Sequence, residues 1–259
     1  METKEDKGIR FTGGDNLTGI LKVYNEILMK NELEDGYGAY QLSCAGPTSG
    51  LSFGGNQMDM SVCGDARELF LDIIENAVDD NNMRFFSDQE CNEMKDYVIP
   101  RIIRIKGDSP QGIFLNHQLP RINKALSSKY GIEKINEEYV KQITIDSIHI
   151  DNIVHSIVSP FAKAYYSSPL GKLFLLDYNN QFYLNPHGEL KRYLDGYKTI
   201  TYTQKAMIVS VTTAYTLANH RAFLHNTKEG AEDPEEVDRR LNNILCVYTP
   251  YASGAAQLK

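Results

Sequence analysis

Two acidic residues and a glycine-rich polar stretch are the part of this sequence best suited to chemistry. Glu32 and Glu34 lie at the end of a helical pattern. The glycine-rich stretch that follows, residues 49–59, reads Ser-Gly-Leu-Ser-Phe-Gly-Gly-Asn-Gln-Met-Asp. Cleaving a glycosidic bond needs a carboxylic acid beside the leaving oxygen and a carboxylate or positioned water on the other side of the sugar. A helix end packed against apolar side chains can keep such an acid protonated by desolvation. The pattern therefore has the residue types that acid–base cleavage of a glycosidic bond requires.

These residues resemble the lysozyme superfamily, in its phage-type, goose-type and lytic-transglycosylase branches. Asn31-Glu32 is similar to the Asn-Glu or Asp-Glu pair that opens the phage-type site, and residues 50–57 are similar to the hairpin strand that faces it. The resemblance covers about residues 16–64. It implies a muramidase that cleaves the N-acetylmuramic acid–N-acetylglucosamine backbone of peptidoglycan. Helical periodicity does not decide between Glu32 and Glu34 as the general acid, and the resemblance favours Glu32.

The second catalytic group departs from the phage-type pattern. Those enzymes carry an aspartate soon after the glutamate, at a spacing that Tyr40-Gln41 occupies here. Asp59 is the first choice for this role because it lies on the predicted hairpin wall, and Asp35 is the reserve. If neither aspartate acts, two mechanisms remain open. The enzyme could use one glutamate and a held water, or it could cleave without water, as a lytic transglycosylase does.

Three further residues are expected to contact the substrate. Ser52 stands where the phage-type enzymes have a threonine that helps to hold the attacking water. Gln57 is expected to hydrogen-bond an N-acetyl group or to support the hairpin from within. Tyr40 is expected to line the cleft, although a tyrosine is more often half-buried packing. The polar run Asp177–Gln181 is either a second wall of the cleft or a capped turn.

Rival functions use other residues of the same region. Gly50–Gly54 also fits Gly-x-Ser-x-Gly, the nucleophile elbow of serine hydrolases, but that motif needs a strand before it and a helix directly after it. A cysteine amidase or peptidase would need a histidine with a supporting local signature, which we do not find. A helical binding domain without activity also fits. No metal or cofactor is expected, since no ligand spacing is present.

The elements that must position these residues are mainly helical. An apolar stripe from Leu17 to Leu28 predicts a helix ending near Asn31 or Glu32, and the glycines of residues 36–64 predict a small hairpin region. Ser87–Glu90 predicts a capping box. Other helices are expected around the segments 65–78, 118–129, 134–158, 161–178, 203–225 and 234–247. The expected fold is mainly α (α+β), a single lysozyme-like domain over residues 1–259 with a helical remainder at 65–259.

Composition limits the partners. The chain has 259 residues, a formal charge of −7 and a pI near 5.4, which argues against a nucleic-acid surface. Residues 1–10 lack the apolar core of a secretory signal, and no apolar run approaches the roughly 18 residues of a membrane span. The resemblance to phage lysins and type VI secretion effectors implies action in the bacterial periplasm, with an immunity protein or secretion-machinery component as partner. Cys44 and Cys63 could pair, although two separate thiols are favoured.

Overall fold

The computed structural model describes residues 8–33, 36–44, 49–105, 107–114, 117–196, 199–202, 205–208 and 215–254. The chain folds into two compact units. Unit 1 comprises residues 1–16 and 28–142, and unit 2 comprises residues 17–27 and 143–259. Whether these two units belong to the single domain expected over residues 1–259 is not tested by this division, so the single domain stays a prediction.

The predicted α+β class, mainly helical with a small antiparallel sheet, is confirmed. The strands are β1 (Ser43–Cys44), β2 (Leu51–Phe53), β3 (Met58–Asp59), β4 (Thr199–Tyr202) and β5 (Lys205–Ile208). The helices are α1 (Gly19–Glu32), α2 (Gly64–Asn76), α3 (Asp88–Glu93), α4 (Ile99–Arg104), α5 (Pro110–Ile113), α6 (Gln118–Leu126), α7 (Lys129–His155), α8 (Pro160–Tyr166), α9 (Pro169–Phe182), α10 (Glu189–Leu194), α11 (Leu217–His225), α12 (Lys228–Glu232) and α13 (Pro234–Ala252). A π-helical turn, Met94–Val98, joins α3 to α4.

Unit 1 is built around the small sheet and the helices that cover it. Strands β1, β2 and β3 form an antiparallel sheet with β2 in the centre, and all three residues of β2 are buried. Phe53 of β2 packs against Phe70 of α2, with 6.3 Å between ring centroids. Phe11 packs edge-on against Tyr139 of α7 at 4.8 Å. The sheet is therefore fixed to helices by buried aromatic rings, each of which contributes a large apolar area.

Unit 2 has a second aromatic core. Tyr193 stacks on Phe223 with 4.6 Å between ring centroids, and His220 stacks on Phe174 at 4.9 Å. The Tyr24 hydroxyl of α1 donates to the Leu176 carbonyl at 3.1 Å. Leucines at residues 173, 175 and 176 of α9 are buried around these rings. Helix α9 is buried on most of its sides, so its apolar residues form a nearly continuous run and not a single stripe.

Local signals predicted several elements well. The Ser87 side chain accepts from the Glu90 amide, and the Glu90 carboxylate accepts from the Ser87 amide, so the capping box is confirmed. The predicted helix over 203–225 is wrong in its first part, because Thr199–Tyr202 and Lys205–Ile208 form an antiparallel pair and α11 begins at Leu217. The β-branched and aromatic residues there favour strands. Within the described ranges, no helix combines the length and apolar character that a membrane crossing requires.

Candidate active site

Helix α1 ends at Glu32, the residue predicted to be the general acid. Its side chain is half-buried, and Leu28, Met29 and Leu33 around it are buried. Residues three and four positions apart lie on the same side of a helix, so Leu28 and Met29 place apolar surface beside Glu32. Glu34 and Asp35, the competing acid and the reserve carboxylate, lie outside the described residues.

The described residues that follow α1, from Gly36 on, are hydrogen-bonded to neighbouring segments of unit 1. Gly36 and Gly38 have φ values of +94° and +91°, which glycine adopts without steric cost. The Gly36 carbonyl accepts from the Phe11 amide at 2.7 Å. The Ala39 carbonyl accepts from the Gly54 amide at 2.7 Å, and Gly54 lies in the turn between β2 and β3. The loop that follows Glu32 is therefore hydrogen-bonded directly to the hairpin turn.

Strand register brings two predicted site residues together. Ser52 pairs with Asp59 across β2 and β3, and with Ser43 across β1 and β2. Directly opposed residues of an antiparallel pair have their side chains on the same face of the sheet. Ser52 is only 2% exposed and sits in the middle of a strand, with no helix directly after it. This is not the strand-to-helix turn that a nucleophilic serine needs.

The Asp59 carboxylate is held by the hairpin backbone. Its Oδ2 accepts from the Gly50 amide at 2.9 Å, and its Oδ1 accepts from the Ser61 amide at 2.7 Å. A Cβ atom on Gly50 would overlap Asp59 Oδ1 and would lie 2.5 Å from Ser61 Cβ. Only glycine at position 50 therefore allows this close approach. Each carboxylate oxygen can accept more than one hydrogen bond, so the two amides orient Asp59 without saturating it.

Gln57 and Tyr40 are engaged inside unit 1. Gln57 has a φ of +52°, accepts from the Ser43 hydroxyl at 2.6 Å and donates to the Gly54 carbonyl at 3.2 Å. This favours support of the hairpin from within over a contact with an N-acetyl group. Tyr40 is 1% exposed, and its hydroxyl donates to Asn136 Oδ1 at 2.8 Å. This favours packing over a position lining the cleft.

The remaining predicted groups have ordinary structural partners. Asp177 forms an ion pair with Arg240, and the Asn179 amide donates to Asp146 at 2.9 Å. The polar run Asp177–Gln181 is thus part of helix α9 rather than a capped turn, and its buried members are paired. Cys44 and Cys63 form no disulfide. In the parts of the chain that the structure describes, no group of three or more His, Cys, Asp or Glu side chains is placed to hold a metal ion.

Sequence reasoning missed Gly50 and Ser43, which position Asp59 and Gln57. The only signal for Gly50 was its place in a glycine-rich stretch, and nothing marked Ser43. It also missed an open groove of about 690 Å³ in unit 1, where α6 meets α7. This groove is lined by hydroxyl, aromatic and charged side chains, among them Phe85, Ser127 and Tyr130. Such side chains offer hydrogen bonds and ring faces of the kind that carbohydrates use.

No protein-family model, curated protein or solved structure matches this chain.

Proposed function

We propose that this protein is a peptidoglycan glycoside hydrolase of the muramidase class, with Glu32 as the general acid and Asp59 as the second carboxylate. The observation that carries the proposal is the Ala39–Gly54 hydrogen bond, which joins the loop after Glu32 to the hairpin that holds Asp59. A helix-end glutamate followed at once by a small antiparallel sheet is also the arrangement that the resemblance to lysozymes implies. No cofactor is needed for this chemistry.

In the proposed mechanism the two carboxyl groups have different tasks. Glu32 protonates the glycosidic oxygen as the bond to N-acetylmuramic acid breaks. Asp59, kept in one orientation by the Gly50 and Ser61 amides, stabilises the positive charge on the sugar or directs a water to it. Buried Ser52 supports the strand that carries Asp59 through their direct pairing.

The test compares two glutamines on the same helix. Wild type is expected to clear a suspension of purified peptidoglycan, and Glu32→Gln is expected to slow clearing by at least about 100-fold, since general acid catalysis contributes about 10²–10⁴-fold. Glu26→Gln makes the same charge change at an exposed position of α1 and is expected to clear at the wild-type rate. Equal rates for Glu32→Gln and wild type would rule the proposal out.

Product masses decide the type of cleavage. Mass spectrometry of digested peptidoglycan is expected to show muropeptides that have gained one water at the glycan end. Anhydro sugars would instead identify a lytic transglycosylase, and free stem peptides would identify an amidase, which contradicts the proposal. A binding domain would attach to the polymer without releasing products.

The cellular role belongs to the same proposal. A muramidase of the effector or phage-lysin type acts on the wall from the periplasm and is opposed there by an immunity protein. Attaching a signal sequence is therefore expected to make expression lytic for a bacterial host. Glu32→Gln with the same signal sequence is expected to be harmless. Lysis by that variant would show that toxicity does not depend on Glu32 and would contradict the proposed cellular role.

A further inference from the structure

Unit 2 contains a small, partly enclosed cavity that the proposed hydrolase mechanism does not use. Its volume is about 130 Å³, well below the roughly 300 Å³ at which pockets for drug-sized ligands begin. It lies where the end of α9 meets α11, α12 and α13, and it is lined on its apolar side by Phe182, Leu224, Val237 and Leu241. A space of this size fits one side chain rather than a sugar ring.

The inner wall of the cavity is polar but already satisfied. Arg240 Nη2 donates to Asp177 Oδ1 at 2.7 Å, and Arg240 Nε donates to Asp177 Oδ2 at 3.1 Å. Both residues are about 95% buried. The Gln181 amide oxygen, in its hydrogen-bonded orientation, accepts from Arg240 Nε at 2.9 Å. This wall therefore presents no uncompensated positive charge that would attract an anion.

The mouth of the cavity is acidic. Glu229 and Asp233 line it and are exposed, and no ion pair joins either of them to a cation in the described part of the chain. Glu236 also lines it but is paired with Arg239 at 2.6 Å. Burial first, and the charge of Glu229 second, raise the pKa of nearby Tyr178 to about 12, so the carboxylate acts on this part of unit 2.

We propose that this cavity binds the lysine side chain of a basic peptide segment on a partner protein. The four methylene groups of lysine would cover the apolar wall formed by Phe182, Leu224 and Val237, as long cationic side chains do elsewhere. The side chain would lie along this apolar wall with its ammonium group turned back to the rim of the cavity, as lysine ammonium groups do when their stems cover apolar surface. There the exposed carboxylates of Glu229 and Asp233 would accept its hydrogen bonds. The net charge of −7 on the whole chain favours a basic partner in the same way.

The test uses the isotope-labelled full chain and short peptides followed by NMR. N-acetyl-Gly-Lys-Gly-amide is expected to cause saturable shifts at the backbone amides of Phe182, Leu224 and Val237. The matched peptide with norleucine keeps the apolar chain but has no charge, and it is expected to bind at least about tenfold more weakly. Equal binding of the two peptides, or shifts confined to other residues, would overturn the proposal.

Charge variants locate the site. Glu229→Gln combined with Asp233→Asn is expected to weaken lysine binding by about tenfold, since each partly exposed ion pair contributes modestly. Asparagine keeps the N-cap of α13, so the fold should be retained. Glu235→Gln changes an exposed carboxylate on the same helix that does not line the cavity, and it is expected to stay within about twofold of wild type. Equal losses in Glu235→Gln would mean that the attraction is general and not a property of this cavity.

Discussion

Ser52 and Asp59 lie directly opposite each other in the antiparallel pair of β2 and β3. This register places both side chains on one face of the sheet, and the Gly50 and Ser61 amides then fix the Asp59 carboxylate. Buried Ser52 and Asp59 therefore share one face of the sheet, and Gly50 leaves the space in which the Asp59 carboxylate lies. The same contacts give Asp59 a structural task whether or not it takes part in catalysis.

Asp59→Ala is expected to lower the free energy of unfolding by about 3 kcal/mol, because it removes the charged acceptor of two backbone amides. Asp59→Asn keeps one carbonyl oxygen and is expected to lose about half as much. Urea denaturation followed by circular dichroism measures both. Asp80→Ala, at an exposed position, is the control and should stay within about 0.5 kcal/mol of wild type. A loss no larger than that in Asp59→Ala would contradict the orienting role of the amides.

Gly50→Ala is expected to destabilise the protein by about 2 kcal/mol, because its new methyl group would collide with Asp59 and Ser61. Gly64→Ala is the matched control. Gly64 opens α2, and a Cβ there meets only the far end of the Arg67 side chain at 3.7 Å. That variant is expected to be neutral or stabilised by about 0.5 kcal/mol. Thermal unfolding should therefore show a lower melting temperature for Gly50→Ala and an unchanged or higher one for Gly64→Ala.

Arg240→Met is expected to cost about 3–5 kcal/mol of unfolding free energy, because it leaves the buried Asp177 carboxylate without its cation. Replacing both partners, with Asp177→Leu and Arg240→Met, is expected to recover most of that loss. The exposed pair of Arg221 and Asp238 gives the comparison, and Arg221→Met should cost less than about 1 kcal/mol. Similar losses for the buried and the exposed pair would show that burial does not determine the unfolding free energy lost when the arginine is removed.

The buried His220 predicts a pH dependence of stability. Its Nδ1 lies 2.8 Å from the Tyr166 hydroxyl, and burial lowers the pKa of its imidazole to about 3. The unfolded chain takes up this proton near pH 6.5, whereas the folded protein does not. Stability from this residue is therefore complete above about pH 6.5 and is lost as the pH falls from there towards about 3.

The measurement compares unfolding free energies at about pH 7 and about pH 5. Wild type is expected to lose about 2 kcal/mol more than His220→Gln over this interval. His187→Gln alters an exposed histidine and should keep the wild-type slope. If His220→Gln shows the same slope as wild type, the folded imidazole must already be protonated at the lower pH.

Much of the helical fold could be predicted because its signals are local. The stripe from Leu17 to Leu28 predicted α1 and its end near Glu32, and Ser87 with Glu90 predicted the start of α3. The predicted helix over 203–225 is wrong at Lys205–Ile208, which is a strand, and right at Leu217–His225, which is α11. The strands Thr199–Tyr202 and Lys205–Ile208 are stabilised by pairing with each other, and the periodicity of either strand taken alone does not show this pairing.

By itself the sequence determined which residue types were available for chemistry and that the first helix would end near Asn31 or Glu32. Side-chain type, periodicity and capping act over a few neighbouring positions, so these features can be predicted locally. Only the tertiary structure decided what those residues contact. Tyr40 is bonded to Asn136, 96 positions away, and Asp177 is paired with Arg240, 63 positions away. No local pattern encodes such partners, because they are chosen by how distant helices pack and by the need to satisfy every buried polar group.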